Sequence, residues 1–412
     1  MKILAADYLL TMDKSCDIIR DGAVIYDGSK IVEISFSKEL ARQRYPRAEF
    51  SYIGKNSVIM PSLINAHTHL EFSKNKTSLI YGNFASWLQS VIDSKELTSD
   101  ANLESSMQKA IAQMKKSGIG AIGAISSFAK DIETLAKSGL RVTLFNEILG
   151  IKEERADDVK SDFLRRFASS QRHSSDMFTP AVSLHSTYSC SLGLIDFATD
   201  FAKENRLKIC SHFMESEAER LWLEQSKGEL GAFFKSRFGL EKSVIKPIDF
   251  LKKFDSLSAI FVHCTHIVKD ELEYMQKKGF FAVHCPVSNR LLGGKYFDVE
   301  SANQIGATYI TATDGLSSNF SLSLWNEMRC ALFGYASRNL EALSGELLKS
   351  VTLNAAKALG LNSGILKEGA NADIIGFCLP GSVENDEQLA LQVVLHTNKV
   401  DKLIINGIQI NE

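Results

Sequence analysis

His67 and His69 stand two residues apart at the end of the segment SVIMPSLINAHTH, residues 57 to 69. If that segment is a strand, side chains alternate with period two and both imidazoles point to one side. Two imidazoles on one side can begin a metal clamp. A His-x-His pair alone is weak evidence, and further ligands must arrive from other strands. His212, near the end of LKICSHF (207–213), and Asp314, ending ATYITATD (307–314), are the residues placed to complete the set. Three imidazoles and one carboxylate suit Zn2+ or Fe2+ and leave room for a water whose pKa the ion lowers towards ~7. The chemistry open to such a site is hydrolysis.

Glu215 follows His212 by three residues. It could face a substrate as a general acid without ligating the ion; it would also fit the first turn of a helix through SEAERLWLEQ, where the helix dipole favours a carboxylate. His263, ending the apolar run AIFVH, is the natural residue to hold the nucleophile by a hydrogen bond, whereas His266 has the freedom of a loop or helix start. His185 in SLHSTYS could touch substrate or simply pack at the mouth, and His284 in VHCPVSN carries the same two readings. A single buried histidine is more often a satisfied core residue than a ligand. Seven of the nine histidines, all but His173 and His396, fall inside expected strands or just after their C-terminal ends, and this joint placement points to a site.

The elements that must position these residues can be read from the pattern around them. After 57–69 come GIGAIGAIS (118–126), RVTLFNEIL (141–149), FTPAVSLHS (178–186), LKICSHF, AIFVHC (259–264), FFAVHC (280–285) and ATYITATD, eight apolar strands in all. Helical stretches such as LESSMQKAIAQMKKSG (103–118) and SLSLWNEMRCALFGYASR (321–338) separate them. The mean unit is about 35 residues, as expected of a (β/α)8 barrel, whose catalytic groups gather at the C-terminal ends of its strands. A doubly wound open sheet would carry a glycine-rich phosphate loop after its first strand, where this chain has NAHTHLEFS. The two chain ends read differently, as short strands with hairpin signals at Asp27-Gly28 and Asn406-Gly407. The expected architecture is α/β: a (β/α)8 TIM barrel, 58–360, with a small β-sandwich-like domain assembled from 1–57 and 361–412.

With 412 residues, 45% of them hydrophobic and 23% charged, the chain can bury a large core, and disorder is excluded. A formal charge of −2 gives no field favouring nucleic acid or an anionic membrane. Met1 to Asp13 is too weak for a secretory signal and no run reaches the ~20 apolar residues of a membrane span, so a cytoplasmic protein is expected. The seven cysteines, Cys16, Cys190, Cys210, Cys264, Cys285, Cys330 and Cys378, are scattered singly and are expected to be reduced, mostly buried thiols. The partner implied is a small molecule. The sequence leaves oligomeric state open, a homodimer included.

These motifs resemble the amidohydrolase superfamily over essentially the whole chain. NAHTHLEFS is similar to its first-strand metal pair, SHFMESEAE to its fifth-strand histidine with Glu three residues on, and VHCTH to its sixth-strand histidine. HCPVSNRLLGG looks like its seventh-strand substrate loop, TATDGLSSNFSLSLWNEM its eighth-strand aspartate, and GILKEGANADIIGF (364–377) its return to the small β domain. The resemblance implies His67, His69, His212 and Asp314 as metal ligands and Glu215, His263 and Asp314 as catalytic groups. Binuclear members carry a carbamylated lysine on the fourth strand; Phe178 to His185 contains no lysine, which implies one divalent ion.

The branch implied is the deaminases, related to adenosine, S-adenosylhomocysteine and methylthioadenosine deaminases and to triazine chlorohydrolases. The chain departs from classical adenosine deaminases, reading His212-Phe213-Met214-Glu215 where they have His-Ala-Gly-Glu, and lacks the His-x-Glu and Pro-Cys-x-x-Cys pattern of cytidine-type zinc deaminases. It looks most like the aminofutalosine deaminases, through NAHTHLEFS, YGNFASWLQSV (81–91), GAISS (123–127), PVSNRLLGG (286–294) and ATDGLSSNFSLSL (312–324). That likeness implies conversion of 6-amino-6-deoxyfutalosine to futalosine and ammonia in menaquinone biosynthesis. A nucleoside ending in a benzoate asks for an aromatic wall and a cation, for which Trp87, Phe84 and Arg290 are candidates, with His185 and Asn289 as further substrate contacts. Phe84 and Trp87, three apart on an expected helix, could equally be core, and Arg290 a surface charge. The ligand set does not choose the leaving group, so deamination of ordinary adenosines and hydrolytic dechlorination stand as alternatives. An inactive scaffold barrel is the remote one, against which the complete set of site residues argues.

Overall fold

The computed structural model describes residues 1–13, 17–74, 77–94 and 102–410; Cys16 lies outside them. The N-terminal segment supplies β1 (Lys2–Ala5), β2 (Tyr8–Leu10), β3 (Ile18–Arg20), β4 (Ala23–Asp27), β5 (Lys30–Ser35), β6 (Glu49–Tyr52) and β7 (Ser57–Pro61). Then follow β8 (Leu63–Thr68), β9 (Ile119–Ser126), β10 (Arg141–Ile148), β11 (Phe178–Ser186), β12 (Ile209–Phe213), β13 (Ala259–His263), β14 (Phe281–His284) and β15 (Tyr309–Thr311). The C-terminal segment adds β16 (Ile374–Cys378), β17 (Lys402–Ile405) and β18 (Ile408–Ile410).

Strands β8 to β15 pair in parallel in chain order, with helices between them, and form the expected barrel. The intervening helices bury one stripe: in Leu103–Lys116 the spacing Met107, Ala110, Ile111, Met114 follows the helical repeat, and all four are buried. The barrel interior holds small and branched side chains, among them Ala66, Ala121, Ala181, Ile260, Val283 and Ile310. Its seam, where β8 meets the chain just beyond β15, is closed by Asp314 N donating to His67 O at 3.2 Å and Thr313 N to Asn65 Oδ1 at 3.1 Å. Asn65 Nδ2 returns a bond to Thr313 Oγ1 at 2.7 Å. On the other side of β8, Gly123 is required by close approach: a β-carbon there would fall 2.3 Å from the carbonyl oxygen of Ala66. The strand carrying the His-x-His pair is thus held from both neighbours.

The segment 57–69, read above as one strand, is two. Ser57–Pro61 pairs antiparallel with β16 and parallel with β2, while Leu63–Thr68 enters the barrel. Two sheets lie outside the barrel, one ordered β5-β4-β1-β6 and one ordered β18-β17-β16-β7-β2-β3, the second drawing on both chain ends. Leu4, Leu9, Val24, Ile59, Ile374 and Ile404 are buried together between them. Both hairpin signals make the turns expected of them, β4 to β5 and β17 to β18. The turns also touch each other: a β-carbon on Gly407, whose φ is 75°, would sit 1.7 Å from the Gly28 carbonyl oxygen.

Barrel and outer sheets are tied by a buried ion pair. Arg141, first residue of β10, donates from Nε to Asp373 Oδ2 at 3.1 Å, and from Nη1 to the carbonyl of Asp176. Asp373 also accepts from Ser363 Oγ at 2.5 Å and Asn406 N at 2.7 Å. No helix among the described residues is long and apolar enough to cross a membrane. Cys190, Cys210, Cys264 and Cys285 are buried free thiols, Cys330 is half-buried and Cys378 exposed. Arg141→Met leaves the Asp373 carboxylate buried without its cation and should cost about 3–5 kcal/mol. The reading is the denaturant midpoint, and an unchanged midpoint would show that the pair does not secure the two layers.

Candidate active site

At the C-terminal mouth of the barrel four acceptor atoms converge. His67 Nε2 and His69 Nε2 lie 3.2 Å apart, and His69 Nε2 lies 3.4 Å from His212 Nε2. Asp314 Oδ1 is 3.5 Å from both His67 Nε2 and His69 Nε2. Burial, with the neighbouring imidazole of His67, drives the pKa of His69 down to about 3, and burial likewise lowers that of His212, so these rings are neutral. His212 donates its Nδ1 proton to the carbonyl of His185 at 2.6 Å, which leaves its Nε2 as a lone pair. Burial alone would raise the Asp314 carboxyl, but its hydrogen bond with His67, with the adjoining His69 and His263 adding, holds it well below the usual carboxylate range. A tetrahedral ion with bonds of about 2.0–2.1 Å sets its ligand atoms about 3.3–3.4 Å apart, so the observed spacings fit one divalent cation.

The second carboxylate oxygen of Asp314 is occupied elsewhere. Ser288 Oγ donates to Oδ2 at 2.8 Å and Ser318 Oγ at 2.6 Å, while Gly315 N donates to Oδ1 at 2.8 Å. The backbone is strained in the same places: Met214, His263, Cys264 and Asp314 take φ of 53°, 74°, 52° and 59°. Left-handed non-glycine residues are costly and gather where surrounding structure enforces a special geometry.

Glu215 is not in the helix that SEAERLWLEQ suggests; that helix begins at Glu217 with Ser216 as its cap. Its Oε1 lies 3.4 Å from His263 Nε2. Burial raises its pKa well above the ordinary value, with Asp314 and Glu219 adding, so it carries a proton. His263, whose pKa burial lowers to about 4, is neutral and donates from Nδ1 to Asn289 Oδ1 at 2.9 Å. In that tautomer, inferred from the bond geometry, Nε2 is an acceptor facing Glu215.

Besides Ser288, three residues missed from sequence complete the support. Glu219, fully buried, accepts from Glu215 N at 2.8 Å and Thr187 Oγ1 at 3.0 Å. Thr265 Oγ1 donates to the Glu215 carbonyl at 2.7 Å. Ser318 holds Asp314 as described. Only Glu219 left a trace in the sequence: Ser216-x-x-Glu219 has the form of a capping box. The box is displaced, because the carboxylate bonds the residue before the cap.

The cluster opens into a cleft of about 580 Å3 walled by Phe72, Trp87, Leu88, Val91 and Tyr188, with Ser127, Glu147, His185 and Ser317 as polar members. Trp87 is fixed by Nε1 donating to Ser317 O at 2.9 Å. His185 lines the cleft while its Nδ1 is bound by the hydroxyls of Ser186 and Ser189. Phe84 is core, packed on Trp87 and Tyr188. Asn289 is buried behind His263. Arg290 is exposed beside Gly294 and is not among the side chains that line the cleft. His284 is buried behind β14 against Thr311 and Tyr335, and the half-buried His266 meets the helix arginine Arg220 through its carbonyl.

The family model described as Amidohydrolase family matches residues 58–410. An aminodeoxyfutalosine deaminase of a Nitratiruptor species is 38% identical over 394 residues, covering 95% of each chain. An adenosine deaminase of Helicobacter pylori is 33% identical over 98% of each chain. The crystal structure of Helicobacter pylori aminofutalosine deaminase in complex with methylthio-coformycin superposes with a TM-score of 0.94 at 32% identity, covering 100% of both chains.

Removing both donors from Asp314 Oδ2, by Ser288→Ala with Ser318→Ala, should weaken Zn2+ binding by roughly 10- to 100-fold in a chelator competition. Undiminished affinity would mean that this carboxylate needs no such support.

Proposed function

We propose that this chain, which belongs to the amidohydrolase family and is a hydrolytic deaminase, acts in the cytoplasm on 6-amino-6-deoxyfutalosine and releases futalosine and ammonia. The observation that carries the chemistry is a buried Glu215, its pKa raised by burial, facing a cluster of three histidines and an aspartate in one aromatic-walled cleft. The observation that carries the substrate is likeness along nearly the full chain to the Nitratiruptor enzyme.

His67, His69, His212 and Asp314 would hold one divalent ion, Zn2+ or Fe2+. Bound there, the ion supplies Lewis acidity and so a strong oxygen nucleophile at neutral pH. Glu215 donates its proton to the ring nitrogen next to the amino-bearing carbon, which makes that carbon electrophilic. His263 Nε2, an acceptor because the ring proton sits on Nδ1 and is donated in a hydrogen bond to Asn289 Oδ1, orients the attacking water through its O–H. Asp314, held by Ser288 and Ser318, passes a proton from that water to the amino group, which departs as ammonia. The water's other proton restores Glu215, and the ring is left as a lactam. Trp87 and Phe72 give the substrate an apolar wall and limit access of bulk water.

Two outcomes check this reading. Glu215→Gln keeps the shape but has no acidic proton; it should retain its metal and lose about 10²- to 10⁴-fold in kcat, and a fully active variant would remove Glu215 from this role. In steady-state assays of ammonia release, aminodeoxyfutalosine should exceed adenosine, methylthioadenosine and S-adenosylhomocysteine in kcat/KM. Equal turnover of adenosine would favour the broader activity named for the Helicobacter pylori relative and leave the deaminase assignment standing.

A further inference from the structure

Glu147, near the end of β10, lines the cleft and is 5% exposed. Its two carboxylate oxygens differ. Oε2 accepts from Ser127 Oγ at 2.6 Å, whereas Oε1 is buried with no hydrogen-bond partner among the described residues. An acceptor left bare in a buried place is costly, and more so when charged. The mechanism above makes no use of it.

The surroundings limit what could satisfy this oxygen. Carboxylate and ring atoms of Glu147, His185 and His212 lie within 4.8 Å of one another. His185 Nδ1 is engaged by Ser186 and Ser189, and His212 Nδ1 by the His185 carbonyl. Arg166 approaches Glu147 only from behind: Nη2 donates to the Glu147 carbonyl at 2.7 Å and Nε to Asp162 at 2.7 Å. The carboxylate is held in place, because Ser127 is itself pinned by its N–H to Glu71 Oε2 at 2.6 Å. What remains is a fixed, bare acceptor just beneath the cleft wall that Glu147 lines. It would repel an anion and welcome a neutral donor, and a nucleoside offers such donors on its sugar.

We infer that Glu147 Oε1 accepts a hydrogen bond from a sugar hydroxyl of the substrate and so helps to select a nucleoside. This rests on the nucleoside deaminase reading given above. The test is kcat/KM for adenosine and its 2′-, 3′- and 5′-deoxy analogues with the wild type, Glu147→Ala and the shape-preserving Glu147→Gln. In the wild type, loss of one of the three hydroxyls should lower kcat/KM by about 10- to 100-fold. In Glu147→Ala the same loss should cost under about threefold, with the other two penalties unchanged, as expected of two groups that interact. Glu147→Gln secures the comparison if the alanine variant is poorly folded, and its penalty should fall between the two. All three penalties surviving in the variants, or none in the wild type, overturns the assignment while deamination itself stands. Two metal ions per wild-type chain and one in Glu147→Ala would also overturn it, by showing that the oxygen holds a second cation. Absence of turnover with every adenine nucleoside would instead reject the function on which it rests.

Discussion

Three imidazoles and a carboxylate, buried with ring nitrogens and a carboxylate oxygen 3.2 to 3.5 Å apart, oppose one another unless a positive charge sits among them. Much of the rest of the molecule can be understood as holding that arrangement. Desolvation keeps the rings of His69 and His212 unprotonated, the carbonyl of His185 selects the His212 tautomer, and two serine hydroxyls leave Asp314 one oxygen to direct at the cluster. The left-handed turns at Met214, His263 and Asp314 put side chains from three strand ends into a single mouth, at a conformational cost that a freely chosen loop would not bear.

The same burial acts in opposite directions on the two classes of titrating group. It lowers the histidines, which are charged when protonated, and raises Glu215, which is charged when deprotonated. Around neutrality both therefore stand in their uncharged forms: rings able to give lone pairs and an acid able to give a proton. Glu219 holds the Glu215 backbone and, when ionised, favours the protonated acid; burial raises its own pKa as well. A buried carboxylate with no cation directly paired to it is an expensive way to fix a loop, and the expense is understandable where the loop carries the acid.

Positioning extends outward in layers. Gly123 lets β9 come against Ala66, the residue before His67, and the Asn65–Thr313 bonds close the barrel on the other side. At the opposite end of the barrel, Arg141 and Asp373 fasten the outer sheets, far in the chain from the site but continuous with the strand that bears Glu147. Stability and catalysis thus share elements while using different ends of them, as barrels of this kind do.

Periodicity and residue type were enough to reveal the barrel, the terminal hairpins and the cluster of His67, His69, His212, Glu215, His263 and Asp314, because each signal is local: alternation along a strand, a turn dipeptide, a histidine at a strand end. The break at Pro61-Ser62 was hidden, since both halves of 57–69 are apolar and only their pairing with different sheets separates them. The roles of Ser288, Ser318, Thr265 and Glu219 were hidden for a related reason: a serine or glutamate becomes a support only when folding brings a particular oxygen within bonding distance. Arg290 and Asn289 show the same limit from the other side. Neighbours in sequence, one is exposed on a surface and the other buried against His263, because successive residues of a helix point about 100° apart. Sequence by itself determined which strand ends bring the candidate site residues together. The direction of each side chain, its tautomer and its proton were decided by tertiary packing, since burial and hydrogen-bond geometry exist only in the folded chain.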